Sequence, residues 1–164
     1  MRLFPRRRAV PPAVSALALP PGDRRVAWAL TASGEPVVAT TSGLLLPGRP
    51  LLLWRRVETA VWARPVLRVR EVADVAETGP EHVVELPDEA DLAEVVRDRV
   101  TGSVAWATTA RISPEGGVRI VGRRVPGAED LEWQLVFDQG TDADDPLVRA
   151  QAEHALTSAR RAIG

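Results

Sequence analysis

The spacing of turn dipeptides early in the chain narrows its possible folds more than any other feature. Ser33-Gly34, Ser42-Gly43 and Pro47-Gly48 cut the sequence into apolar runs at 25–30, 35–40 and 43–46, each too short for a stable helix. Gly, Pro and Ser supply turn geometry at those points, so the pattern predicts an antiparallel meander. Short strands follow at 50–55 and 58–62. Residues 65–72 then alternate Val66, Arg68 and Arg70 with Leu67, Val69 and Glu71, the period of two that marks a half-buried strand. A seventh strand is expected at 81–86.

The period then changes. Leu92, Val95, Val96 and Val100 recur at helical spacing and form one apolar stripe. Asp88 after Pro87 is the expected N-cap, Asp91 its weaker capping-box partner, and Gly102 the expected stop. Beyond it the chain returns to strands. Val104, Trp106, Thr108, Ala110 and Ile112 share one face of 103–112, and 117–125 follows across a turn. In 131–138, Leu131, Trp133, Leu135 and Phe137 alternate with Glu132, Gln134, Val136 and Asp138. A last helix begins with Asp145 as N-cap and Pro146 at its first position. It aligns Val148, Ala152, Ala155, Leu156 and Ala159, with Arg160 and Arg161 suited to the negative end of its dipole.

The fold class read from this order is α+β. A first β-meander or barrel is capped by a helix, then come a three-stranded meander and a C-terminal helix. Residues 1–21 are read as a basic arm with a short helix from Pro11-Pro12, 22–102 as the first unit, and 103–164 as the second. Only Thr101-Gly102 separates the last two, so they are expected to pack as one unit.

Part of this pattern resembles a known family. Gly22-Asp23-Arg24-Arg25-Val26-Ala27-Trp28, Val38-Ala39-Thr40-Thr41-Ser42-Gly43-Leu44-Leu45-Leu46, Trp54 and Val57-Glu58-Thr59-Ala60 resemble bacterial pleckstrin-homology-like domains. Asp23 stands where that family has Glu, and Thr41 where Asp is commoner. Over 22–102 the resemblance implies a seven-strand barrel closed by a helix. It also implies a scaffold that binds proteins or lipids and lacks catalytic residues.

Composition removes many chemistries. All 21 basic residues are Arg, and the chain has no Lys, Asn, Tyr or Cys, a bias that GC-rich codons explain. Disulfides, thiolate nucleophiles, zinc ribbons, Lys-based phosphate loops and Schiff bases are therefore excluded. His82 and His154 are the two histidines, and both are read as solvated, with no nucleophile at a recognisable spacing. Asp138, Asp142, Asp144 and Asp145 could offer oxygens to a divalent cation, but helix capping already accounts for them. No metal or cofactor is expected, and the chain is read as a non-enzyme. No apolar stretch reaches the roughly 20 residues of a membrane span. Arg2 and Arg6 to Arg8 precede an apolar run that Pro11-Pro12 interrupts, so an export signal is the weaker reading and a cytoplasmic location the preferred one.

Charge is divided unevenly. Residues 1–70 hold 12 Arg against three acids, and residues 71–164 hold nine Arg against 19 acids. Either the halves neutralise each other, or the basic half binds a partner. The expected function is a protein-binding scaffold or adaptor. Arg55, Arg56, Arg68, Arg70 and Trp62 are the candidate contact residues, and peripheral binding to an anionic membrane or other polyanion is the alternative. Nucleic acid is disfavoured because the aromatic platforms that stack bases are missing. A monomer or weak homo-oligomer is expected.

Overall fold

The computed structural model describes residues 9–73, 79–89, 91–113, 116–125 and 128–163. The arginines at positions 2 and 6–8 of the expected basic arm lie outside them. A single helical turn, α1 (Pro12–Ser15), opens the described chain, and Arg25 ties it down. Its Nε donates to the Val14 carbonyl at 3.1 Å, and Nη2 donates to those of Ser15 and Leu17 at 3.0 and 2.8 Å.

Four strands form the first antiparallel sheet: β1 (Arg25–Leu30), β2 (Pro36–Thr40), β3 (Gly43–Leu45) and β4 (Leu52–Leu53), in that order. The strand expected at 50–55 shrinks to two residues, and Trp54–Arg56 forms a 3₁₀ turn. Trp54 causes the break. Its backbone N–H bonds to the Ser42 carbonyl, and its buried indole Nε1 bonds to that of Thr40, at 3.1 and 3.0 Å. Gly43 allows the β3–β4 approach, because a Cβ there would lie 2.3 Å from the Leu52 carbonyl oxygen.

The second sheet is β5 (Val57–Ala63), β6 (Val66–Glu71) and β7 (Glu81–Glu85), again antiparallel in chain order. Leu67 and Val69 point inward and Arg68 outward, as the alternation predicts. The expected barrel is not closed. Among the described residues no ladder joins the two sheets, and the one β-type link is an isolated bridge between Leu30 and Asp88. That bridge also displaces the helix start: Asp88 is held extended against β1, so it cannot cap. The helix α2 runs Leu92–Ser103, with Asp91 at its N-cap making no side-chain cap bond. Its stripe works as read. Leu92 and Val96 are fully buried, and Val95 and Val100 pack beside them against a core from both sheets that includes Val37, Leu44, Trp54, Leu67 and Leu86.

Gly102 does not stop α2, which passes directly into β8 (Val104–Ser113). Helical geometry costs Gly only about 1 kcal/mol, and Ser103 secures the junction by donating to the Val100 carbonyl at 2.7 Å. Strands β8, β9 (Gly116–Arg124) and β10 (Leu131–Phe137) make the third sheet, ordered β10-β9-β8. The helix α3 (Pro146–Ile163) covers it. All five residues of the expected α3 face pack into this second core with Ile112, Val118, Ile120, Leu135 and Phe137. Trp106 and Trp133 meet there edge to face, 5.6 Å between ring centres.

Candidate binding cleft

A cleft of about 990 Å³ lies between the second sheet and the unit formed by β10 and α3. Its floor is continuous chain, residues 132–140. Arg56, Glu58 and Arg70 make one wall, and Arg149, Glu153 and Leu156 of α3 make the other. Asp145 places the α3 wall, its Oδ1 accepting the Leu147 and Val148 N–H groups at 2.7 and 3.4 Å, as an N-cap should.

A buried polar chain fixes the floor against the 3₁₀ turn. Gln134 Nε2 donates to the Arg55 carbonyl at 2.7 Å, and Gln134 Oε1 accepts from Arg123 Nε at 2.9 Å. Arg123 Nη1 donates to Ser103 Oγ at 2.6 Å. Arg123 is only 2% exposed. Burial, reinforced by nearby Arg119, lowers its pKa, while the fields of Glu58 and Glu132 act in the opposite direction. The sequence reading of 117–125 as a strand does not predict this residue's burial.

The five candidate contact residues separate. Arg56 and Arg70 come together on the cleft wall, and Arg56 Nη2 also donates to the Val72 carbonyl at 3.3 Å. Arg55 stands at the rim, its Nε 2.6 Å from Glu132 Oε2. Arg68 is on the outer face of the second sheet, where it and Arg70 share Glu81 at 3.4 and 3.2 Å. Trp62, half-buried, projects from the opposite face and packs on the first core. Arg64 pairs with Glu89. Each of these ion pairs joins an Arg of the basic half to an acid of the acidic half.

His82 departs from its reading as a solvated residue. It is 7% exposed, and its Nε2 lies 2.5 Å from Glu71 Oε1. Position 82 pairs with Val69 on the inward side of the second sheet, so the pleat carries the ring inside. The acidic loop is occupied by local bonds. Asp142 Oδ1 accepts from the Asp144 N–H at 3.0 Å, Asp144 meets Arg149 at 3.5 Å, and Asp145 caps α3. Among the described residues no three His, Asp or Glu side chains converge on a point that could hold a metal ion. Among them, too, no helix is long and apolar enough to cross a membrane.

Sequence reading missed Glu58, Arg149, Glu153 and Leu156 as cleft residues, because two units separated in sequence meet there. One signal was present. Trp133 to Phe137 is a run of five uncharged residues without Pro, unusual for a strand at the side of a sheet. No protein-family model, curated protein or solved structure matches this chain.

Proposed function

We propose that the chain is a non-enzymatic cytoplasmic adaptor on a pleckstrin-homology-like frame, and that it binds a protein partner in the cleft between its two cores. The observation that carries this reading is the chemistry of the cleft lining. Half-buried Val136, Phe137 and Leu156 adjoin Arg and carboxylate groups, and no His, Ser or Thr lies among the described lining residues. Apolar surface with charged margins is the composition of a recognition surface. The division of the first seven strands into sheets of four and three, with α2 packed on their shared core, supports the frame.

The anionic-membrane reading has less support. Glu81 stands between Arg68 and Arg70, and Glu132 meets Arg55, so carboxylates interrupt the arginine stripe that a membrane would need. A photo-crosslinking residue at Glu153, inside the cleft, tests the proposal in cells against one at Leu147, exposed on α3 outside it. A discrete protein adduct from position 153 alone is expected. Absence of that adduct, together with salt-sensitive retention on phosphatidylserine vesicles, would replace the proposal with the membrane reading.

A further inference from the structure

The third sheet has an edge away from the cleft, strand β8, which pairs with β9 alone among the described residues. A strand covered on one face shows at most alternate residues to solvent, because side chains alternate across the pleat. In β8, Ala107, Thr108 and Thr109 are all exposed. Neither face is covered at the middle of the strand, and the edge there is open.

The ladder fixes which backbone groups stand on that edge. The Asp138 N–H donates to the Gly117 carbonyl at 2.9 Å, so position 117 of β9 bonds toward β10. The bonding side alternates along an antiparallel strand. Val118, Ile120 and Gly122 therefore bond toward β8, where they face Ala110, Thr108 and Trp106. That leaves Ala107 and Thr109 with their N–H and C=O groups directed outward, and no described residue bonds to them.

Charge, Pro and bulges normally keep such an edge from pairing. Val104 to Ala110 carries no charge and no Pro. Bulges lie at 104–106 and 111–113, and the ladder between them is regular.

We propose that β8 pairs antiparallel with β8 of a second copy, about a two-fold axis through Thr108, to make a six-stranded sheet. The edge matches itself in that register. Ala107 of each copy exchanges both backbone bonds with Thr109 of the other, so every one of those outward groups gains a partner. On the α3 side, where Trp106 and Ala110 lie, Thr108 meets Thr108 and each Trp106 ring meets Ala110, a large side chain against a small one. Moving the axis to Ala107 would set Trp106 against Thr108, and moving it to Thr109 would set it against Ile112 at the bulge. Arg111 faces Ala105, so no like charges oppose each other. Thr108 is exposed on the α3 side, so the helix does not overhang the axis. A foreign strand would be selected by charge set against charge, and 104–110 offers none; what it offers is a fit to its own order of side-chain sizes. This pairing does not depend on the adaptor reading.

The test uses the full chain. Sedimentation equilibrium is expected to show monomer passing to dimer between about 10 µM and about 1 mM, at any ionic strength. Thr109→Pro removes one outward N–H from each copy, at an edge position that tolerates Pro. It is expected to weaken the dimer about thirtyfold and leave the dilute monomer cooperatively folded. The chain has no Cys, so single substitutions report the register. Thr108→Cys sets two Cα atoms about 4.5 Å apart across the axis, within disulfide range, and is expected to give a linked dimer in air. Arg111→Cys, also exposed, sets them roughly 20 Å apart and is expected to give none. A chain that stays monomeric at about 1 mM, a Thr109→Pro dimer of native strength, or equal crosslinking at 108 and 111 would each overturn the pairing. Capture of a different protein at position 108, with no second copy, would overturn the choice of occupant. The crosslinker at position 153 tests the adaptor reading separately in every case.

Discussion

Gln134 on β10 donates to the backbone carbonyl of Arg55, 79 residues earlier, and so connects the two hydrophobic cores through one buried amide. The same side chain accepts from buried Arg123, so its two ends hold a backbone carbonyl and a guanidinium together. Gln134→Leu would leave the Arg55 carbonyl and the Arg123 Nε without these partners in a buried site, Arg123 keeping only its bond to Ser103. A loss of about 2 kcal/mol is expected in urea unfolding, and an unchanged midpoint would show that the amide is not needed there.

The continuity of α2 into β8, the Gln134–Arg55 bond and the Arg55–Glu132 pair all favour joint unfolding of the two cores. One calorimetric transition is expected for the whole chain, and a 1–102 fragment should not fold stably. Two resolved transitions, or a cooperatively folded fragment, would count against a single unit.

The Asp23 carboxylate gathers the ends of β1 and β2. It accepts from Thr40 Oγ1 at 2.8 Å, from Thr41 Oγ1, from the Ser42 N–H at 3.1 Å and from the Arg24 N–H at 3.0 Å. Burial alone would raise its pKa, but the four donors outweigh burial and lower it below the ordinary 3.8. A group depressed on folding contributes stability above its unfolded value and loses it as pH falls through the folded value. The stability gap between wild type and Asp23→Asn should therefore be full at pH 7 and narrow below about pH 4. A gap independent of pH down to 2 would refute the assignment.

Replacing both histidines is not a neutral change in this fold. His154→Gln on the exposed side of α3 should leave stability unaltered. His82→Ala removes a buried ring and the partner of Glu71, and about 2 kcal/mol is expected to be lost. Equal melting temperatures for the two variants would contradict the buried position of His82.

Four arginines of the basic half pair within the chain with acids of the other half, through Arg55–Glu132, Arg64–Glu89 and the Glu81 pairs. Light scattering is expected to give a size unaffected by ionic strength. A large assembly that dissociates as salt rises would show that charge pairing between copies prevails instead.

Local periodicity and turn chemistry determined the element order, the antiparallel pairing of sequence neighbours, the α2 stripe and the α3 face. Each of these depends on residues a few positions apart. Leu131, Trp133, Leu135 and Phe137 identified β10 and its inward face in this way. The expected three-stranded meander also placed that strand at the sheet's edge, and only the tertiary structure decided what faces it across the cleft. The same is true of the Leu30–Asp88 bridge that delays α2, of Trp54 converting a strand into a turn, and of His82 turning inward. Arg123 is the clearest case. Its burial depends on Gln134 and Ser103, which no sequence period places beside it. The cleft itself exists only because the sheet carrying Arg56, Glu58 and Arg70 meets β10 and α3, and a linear pattern holds no record of that meeting.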